Sequence, residues 1–556
     1  MNKYLLILLV GFVLFQSCKN NSNPKELIDE IKSREVFENN KTISFSDTTE
    51  VSFERITVKD KEVLAELKSF YSQNGYSTRW LYEKKPTNLF YGYMKVLEKS
   101  ENYGLNPETY RYKALQHLVD SLYSKTVDFM QLEQADKEIT ASFLLLTKHL
   151  GSGRVSKLSH GQHVWKKIKR NRNDLEILLK LEDTDDLVTV IDALHPNHLL
   201  YKRMSEKYAE LRADTQPDSI IKIAFENPKL FVDGYKHSAV EAMRHNLKQK
   251  GYEVTPLVST NVVDTVLLNA LKKFQETKGI TPDGVPGKTT LYHLNMTKAQ
   301  KVELLKLNME RMRWLNNDLG DDYLIVNIPD FKLFVYHKDS MIHQMNVVVG
   351  REYTATPVFV DSIRYVEFRP TWTVPQSIIH NEMIPQMVSE NDAEKYQKRG
   401  YTIYENGEKI DPNSVDWTNP EIRKRKFRFV EAPSARNSLG LVKFILTNDM
   451  SIYLHDTPST RLFSREERAF SHGCVRVEQP AELAYLLLKN QDEWTREKVD
   501  QAMQSGPNQN RITLKNRYLI SLLYITAWVD ENNQLIIKND IYGFDQQQLK
   551  ELKVYE

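Results

Sequence analysis

Ser471-His472-Gly473-Cys474 brings an imidazole, a position without a side chain and a thiol into four consecutive residues. The thiolate is the nucleophilic form of cysteine, so a reactive Cys needs a base or a positive charge beside it. In an extended segment positions i and i+2 face the same side, and on that geometry the His472 imidazole and the Cys474 thiol would converge on one substrate carbonyl. Gly473 leaves room for a substrate and frees the backbone to turn amides toward a developing oxyanion. A second histidine, His455, lies upstream in Tyr453-Leu454-His455-Asp456-Thr457-Pro458, with fifteen residues between it and Ser471. These residue types suit acyl transfer through a thioester.

Three other readings compete. Zinc accepts imidazole and thiolate, so His455, His472 and Cys474 could be ligands, but there is no clear fourth ligand and no HExxH-type motif. A buried, inert Cys474 is a poor match to so polar and glycine-containing a stretch. A papain-like hydrolase presents its Cys before its His, whereas here both histidines come first.

The other cysteine, Cys18, bears on where the chain works. It follows a run of eleven mostly apolar residues, Leu5 to Phe15, and then Gln16-Ser17. That run is short of the roughly 20 residues a spanning helix needs but suits a signal-peptide h-region. Ser17 before Cys18 and the polar Lys19-Asn20-Asn21-Ser22-Asn23 after it resemble a bacterial lipoprotein signal in which Cys18 becomes the acylated first residue. In an oxidising compartment spare thiols become disulfides, so a lone Cys474 there is either buried or present for its reactivity. No second apolar stretch of spanning length follows.

With 556 residues the chain exceeds one compact core. Its 76 basic and 74 acidic residues leave a net charge of +2, and no basic block is interleaved with aromatics, which argues against nucleic acid as a partner. From about Asp60 to Leu230 apolar residues recur at three and four, as in Val63, Leu64, Leu67, Phe70 and Tyr71, which predicts helices. Asn74-Gly75 and Gly104-Leu105-Asn106-Pro107 mark turns between them. Two further helical patterns end at Lys250-Gly251 and Lys278-Gly279, each a candidate left-handed C-cap. Near Asp322 the period changes to two: 323–328, 332–336, 344–349 and 441–446 are rich in β-branched and aromatic residues. Between Ile378 and Ala435 the alternation lapses over a length that implies a lid or an inserted subdomain. Its basic run Arg423-Lys424-Arg425-Lys426 reads first as a solvated face.

The segment Leu271-Lys272-Lys273-Phe274-Gln275, Gly279-Ile280 and Asp283-Gly284-Val285-Pro286-Gly287 resembles the peptidoglycan-binding domain family, a small three-helix module, some of whose members are structural. His455 with Ser471-His472-Gly473-Cys474 resembles the signature of L,D-transpeptidases with the YkuD catalytic fold. The large scaffolded subgroup of murein L,D-transpeptidases is matched further by Glu310-Arg311-Met312-Arg313-Trp314, Val326-Asn327-Ile328-Pro329-Asp330-Phe331, Val349-Gly350-Arg351 and Thr356-Pro357-Val358-Phe359. It is matched again by Trp372-Thr373-Val374-Pro375, Leu439-Gly440-Leu441-Val442-Lys443-Phe444, Ile525-Thr526-Ala527-Trp528-Val529 and Asp540-Ile541-Tyr542-Gly543.

The resemblance implies an α+β multidomain chain. Its parts would be a lipoprotein signal peptide (1–18), a linker (19–55), a helical scaffold (56–230), a peptidoglycan-binding-like domain (235–300), a mostly β YkuD-type catalytic domain (320–515) with a capping insertion at about 378–435, and a C-terminal segment (516–556). The implied chemistry has Cys474, activated by His472, attack the carbonyl after the L-centre of the third residue of a tetrapeptide stem, with D-alanine leaving. A side-chain amine of a second stem would then take the acyl group and form a 3-3 cross-link. Stem peptide and glycan are the implied partners, and no metal or cofactor is implied. His455 and Tyr453 are expected to orient substrate or complete the oxyanion environment, and Trp372, Arg476 and Ser471 to line the substrate site, Arg476 by pairing with a carboxylate or else as a structural ion pair. The expected location is the periplasm, anchored through Cys18, on the inner face of the outer membrane. A stem-trimming L,D-carboxypeptidase and a non-enzymatic wall-binding scaffold are the two alternatives.

Overall fold

The computed structural model describes residues 53–555, apart from 75–76, 83–84, 125–128, 156–164, 166–177, scattered positions between 180 and 192, and residues 316–318, 339 and 492. The expected signal peptide with Cys18, and all but the end of the expected linker, lie outside the described residues. Among the described residues no helix is long and apolar enough to cross a membrane.

The helical expectation for the first half holds. Helix α1 (Lys61–Gln73) starts where Asp60 accepts the amides of Glu62 and Val63, and α2 (Asn88–Lys99) where Thr87 accepts that of Phe90. With α3 (Tyr112–Ser124) and α4 (Phe129–Ser152) they enclose a core that includes Phe70, Tyr71, Trp80, Tyr93 and Phe143. Inside it Asp136 accepts the Tyr71 hydroxyl at 2.6 Å and the Trp80 amide at 2.8 Å. Helix α5 (Leu199–Ala213) leads out of this half.

The small module is α6 (Ala239–Gln249), α7 (Thr265–Thr277) and α8 (Lys288–Leu294) around Val240, Leu247, Leu271 and Phe274. Gly251 and Gly279, one residue past the helix caps, have φ of 86° and 64°, the left-handed ends that the Lys-Gly pairs predict. Buried Gln275 donates to Asp283 Oδ1 (2.9 Å), the Val285 carbonyl (3.0 Å) and Thr290 Oγ1 (3.2 Å), and accepts from the Gly284 amide. The turn Asp283-Gly284-Val285 that suggested glycan binding is therefore tied internally to α7.

Helix α9 (Lys298–Met312), opened by a Thr297/Gln300 capping box, joins the two halves of the molecule. Its buried Glu310 accepts the Val155 amide at 3.1 Å, Arg154 Nε at 3.3 Å and Arg313 Nη1 at 3.2 Å, and also receives the Arg154 amide. Burial alone would raise this carboxyl, but the two guanidiniums and the two amides outweigh it and hold Glu310 at about 2. Arg313 in turn donates to the Tyr103 carbonyl and, at 3.1 Å, to the Tyr201 hydroxyl. At Gly153, φ 71°, an added Cβ would strike Trp314 and Glu310, so only glycine fits.

Beyond α9 the chain becomes mostly β. Strands β1 (Asp322–Asn327), β2 (Lys332–His337), β3 (Ser340–Gly350) and β4 (Phe359–Phe368) come first. The cap follows with β5 (Trp372–Thr373), β6 (Tyr401–Glu405), β7 (Glu408–Lys409) and β8 (Phe427–Glu431), then β9 (Val442–Leu446) and β10 (Tyr453–His455). After these come β11 (Ala469–Ser471), β12 (Val475–Val477) and β13 (Asn510–Leu523). The large sheet runs β11-β3-β12-β10-β9-β4-β13-β1-β2, and β2 also pairs with β3, so the sheet closes on itself. Val326, Val347, Val366, Phe444, Leu454, Val475 and Ile520 fill its interior, covered by α10 (Pro480–Leu488) and α11 (Arg496–Gln504).

Strand β13 corrects one expected boundary. Its pairing with β1 runs from Leu519 to Leu523, so ending the catalytic domain at 515 would cut a central strand of the sheet. The remaining chain adds a hairpin, β14 (Ala527–Val529) and β15 (Leu535–Ile537), and a last helix, α12 (Phe544–Leu552). Thr526 and Asp545 reach back to α9 through Asn308 and Arg311.

The cap is a four-stranded sheet, β5-β8-β6-β7, with a core of its own that includes Ile379, Met387, Ile403, Trp417 and Phe429. Its chain leaves the large sheet after Phe368 and returns at Leu441, where the Arg369 amide donates to the Leu441 carbonyl at 2.7 Å. Both ends of this neck are left-handed: Arg369 has φ 50° and Gly440 φ 63°. The basic run is solvated, Arg425 pairing with Glu405 at 2.6 Å.

Glu310→Gln should cost about 3–5 kcal/mol, the scale for leaving buried cations without their anion. A carboxylate lowered in the folded state contributes stability that is complete above its unfolded pKa, 4.5, and is lost as pH falls toward about 2. The gap between wild type and Glu310→Gln in urea unfolding should therefore narrow as pH falls from about 5 to about 3. A gap that stays constant would show that the carboxylate charge is not what matters.

Candidate active site

Strand β12 lies parallel to β10 with Leu454 opposite Val475 and His455 opposite Arg476. Leu454 and Val475 are fully buried in the barrel core, so the alternate residues Tyr453, His455, Cys474 and Arg476 share the outer face. Lys443 joins them from β9, directly across from His455. These side chains converge beneath the cap.

The expectation of an extended His472-Gly473-Cys474 segment is corrected. Gly473 has φ 112°, far from extended, so His472 and Cys474 do not sit as i and i+2 neighbours of one strand. Instead the His472 ring turns toward the cap. Its Nε2 meets the Glu382 carboxylate, contributed by a π-turn at Ile379–Met383, and lies 2.9 Å from Arg351 Nη2.

His455 is held differently. Its Nδ1 lies 2.5 Å from the carbonyl of Asp456. A carbonyl only accepts, so Nδ1 carries the proton and Nε2 is left as an acceptor. Burial holds the imidazole at about 3, and the nearby Arg476 and Lys443 charges push the same way. Asp456 is itself fixed: its carboxylate accepts the amides of Leu441 (2.8 Å) and Thr457 (2.6 Å), and Gly440 leaves the space its side chain fills.

Cys474 Sγ donates to the Ser451 carbonyl at 3.7 Å, a resting thiol contact. Burial raises the thiol above its ordinary value, although Tyr453, Lys443 and Arg476 each pull it down. The resting pair is thus a neutral thiol and a neutral imidazole. Around them stand three cations: Lys443, whose ammonium lies 4.1 Å over the Tyr453 ring, Arg476 and Arg351. The Nε of Arg476 is buried without a hydrogen-bond partner in the fold, which suits an incoming carboxylate better than a structural ion pair. Trp372, on β5, reaches the Tyr453 hydroxyl and forms part of the cap-side wall.

Two expected roles are reassigned by geometry. Ser471 is only 2% exposed, and its hydroxyl donates to the Cys474 carbonyl at 2.6 Å while accepting the Gly473 amide at 3.1 Å, so it builds the turn rather than meeting substrate. The Gly473 amide is thereby taken. Among the described turn and side-chain bonds nothing accepts the Cys474 amide.

Glu382, Arg351 and Lys443 were not singled out as site residues from sequence. Lys443 had a readable signal, a lysine on the alternating apolar segment 441–446. Glu382 had none, because its position depends on how the cap packs. Among the described residues no group of three or more His, Cys, Asp or Glu could hold a metal ion. A cavity of about 530 Å³ lies elsewhere, between α5, the three-helix module and the β14–β15 hairpin, and is lined by no cysteine, serine or histidine.

Residues 321–499 match the L,D-transpeptidase catalytic domain family, YkuD. Residues 65–207 match the Scaffold domain family, and 236–294 the family described as "Putative peptidoglycan binding domain". A "Putative L,D-transpeptidase" of Haemophilus influenzae is 34% identical over 245 residues, 44% of this chain and 48% of that protein. The match thus spans about half the length of that curated relative. Among solved structures, an L,D-transpeptidase from Mycobacterium smegmatis is 9% identical over 36% of this chain and 58% of its own, with a TM-score of 0.17. One from Stackebrandtia nassauensis is 13% identical over 52% and 94%, with a TM-score of 0.19. Likenesses that low carry no argument, and the chain's similarity rests on the three family matches, one each to the Scaffold, peptidoglycan-binding and YkuD catalytic families.

Proposed function

We propose that this protein is a cysteine L,D-transpeptidase that cross-links peptidoglycan stems in the cell-wall compartment. The observation that carries the reading is His455, its Nδ1 proton committed to the Asp456 carbonyl and its Nε2 therefore unprotonated, on the same sheet face as Cys474. In this scheme Cys474 Sγ attacks the carbonyl after the L-centre of the third stem residue as its proton passes to His455 Nε2. The Cys474 amide receives the oxyanion. Collapse returns that proton to the nitrogen of the departing D-alanine and leaves a thioester. A side-chain amine of a second stem attacks the thioester, loses its proton to His455, and releases Cys474 with a 3-3 cross-link formed. The energy of the broken amide is kept in the thioester, so no nucleotide is consumed.

His455 is a better base than His472 on this reading, because Glu382 and Arg351 occupy the His472 Nε2 and the Gly473 bend turns the ring away from the strand face. The cations Lys443, Arg476 and Arg351 favour a donor stem carrying free carboxylates. Trimming by water instead of an amine would use the same thioester, and muropeptide products from a defined tetrapeptide distinguish the two outcomes. On the same reading the chain works in the periplasm, tethered through an acylated Cys18. Cys18→Ala should then move it out of the membrane fraction, and unchanged fractionation would remove the lipid anchor from the scheme.

Cys474→Ala should abolish cross-linking and acylation by a small β-lactam. His455→Ala should lower the acylation rate by about 10²–10⁴-fold, the usual worth of a general base. His472→Ala removes one half-exposed hydrogen bond, worth about 1 kcal/mol or a factor of about five to ten. The reverse order of the two histidine effects would make His472 the base.

The pH profile is a separate check. Burial holds His455 at about 3 and raises the Cys474 thiol above its ordinary value, so on this reading neither group titrates in the ordinary imidazole range. Acylation should be flat across that range; a limb centred at the ordinary imidazole value of 6.5 and abolished in His455→Ala would contradict a buried, neutral His455.

A further inference from the structure

We propose that Thr356 and Tyr542 are positioning residues that hold the Gly473–Cys474 peptide so that the Cys474 amide faces the substrate oxyanion. The inference rests on the acyl-transfer reading above and adds residues that never touch substrate.

Two hydroxyls form a closed clip under the nucleophile. The Tyr542 hydroxyl donates to the Gly350 carbonyl at 2.6 Å and accepts the Thr356 amide at 3.2 Å. The Thr356 hydroxyl donates to the Gly473 carbonyl at 2.8 Å and accepts the Gly350 amide at 2.9 Å. Each hydroxyl has one proton, and each proton has one destination. Thr356 is 1% and Tyr542 5% exposed, so water does not compete for these bonds.

The clip determines where an amide points. A trans peptide is planar, with its C=O and N–H directed oppositely. Pinning the Gly473 carbonyl on Thr356 therefore turns the Cys474 N–H to the opposite side. The φ of 112° at Gly473 is what lets the chain turn there, and Ser471 already takes the Gly473 amide. The Cys474 amide is the group left to meet an oxyanion, and Thr356 fixes its direction.

The clip is anchored outside the sheet. The Tyr542 amide donates to the Tyr524 hydroxyl at 2.8 Å, and that hydroxyl donates to Asp540 Oδ1 at 2.6 Å. The Tyr524 and Tyr542 rings stack with centroids 5.4 Å apart. The segment after β13 thus ends in a lever on the Gly473 peptide. Removing the Thr356 hydroxyl would leave the buried Gly473 carbonyl and Gly350 amide unpartnered, and the peptide between glycine and cysteine would lose its fixed orientation.

The test compares wild type, Thr356→Val, Thr356→Ser and Tyr542→Phe in two reactions at Cys474: acylation by a small β-lactam, and alkylation by iodoacetamide. Alkylation displaces iodide at a saturated carbon and generates no oxyanion, so it reports the thiol alone. Thr356→Val should lower the maximal acylation rate by about 10²-fold, the scale of one lost oxyanion donor, with alkylation unchanged. Thr356→Ser, which keeps the hydroxyl, should restore it, and Tyr542→Phe should fall between. Wild-type acylation in Thr356→Val, equal loss of both reactions, or failure of Thr356→Ser to restore would each overturn the assignment. Wild-type protein that is alkylated but never acylated would overturn the acyl-transfer reading itself, and this inference with it.

Discussion

A buried carboxylate, Glu310, is the constraint on which the arrangement of the molecule depends. It gathers Arg154 from the end of the helical scaffold and Arg313 from its own helix, and Arg313 continues to Tyr103 and Tyr201. Such a cluster is costly to desolvate and is stable only when every member is in place, which makes it a strict specification of how the scaffold docks. The opposite side of α9 carries Asn308 and Arg311, which bind Thr526, Gln548 and Asp545 of the C-terminal segment. That segment then supports Tyr524 and Tyr542 beneath Gly473. One helix therefore stands between the scaffold and the Gly473–Cys474 turn, with hydrogen bonds and ion pairs on both sides.

The site itself is arranged around neutral partners. Burial raises the Cys474 thiol and lowers His455, and the three cations nearby do not reverse the first shift. A resting thiol resists oxidation and unwanted alkylation better than a thiolate does. On the proposed acyl-transfer reading, the cations instead lower the cost of bringing negative charge into the cleft.

Much of this was legible in the residues. The strands at 323–328, 332–336, 344–349 and 441–446 fall where period-two alternation placed them, because a sheet with one face in a core must alternate. The helix ends at Lys250-Gly251 and Lys278-Gly279 follow from glycine's access to positive φ. Other features depend on tertiary packing and left no local mark. The bend at Gly473 turns His472 away from the strand, and an i, i+2 argument could not anticipate it. Ser471 is polar and three residues before Cys474, yet its hydroxyl is consumed by the turn. Glu382 reaches His472 only because the cap folds over the sheet, and the cap has its own core despite a polar sequence.

The neck of that cap has a topological consequence. The chain departs after Phe368 and returns at Leu441, positions joined by a 2.7 Å hydrogen bond between Arg369 and Leu441, so some seventy residues hang from what is geometrically a tight turn. A hairpin in the parent sheet would need little more than the left-handed residues already present at Arg369 and Gly440. The cap is in this sense a graft at a hairpin tip, the kind of site where added length costs little loop-closure entropy and leaves strand register untouched. Its size and surface can diverge between related chains independently of the barrel, with the two sides meeting chemically where Glu382 reaches His472.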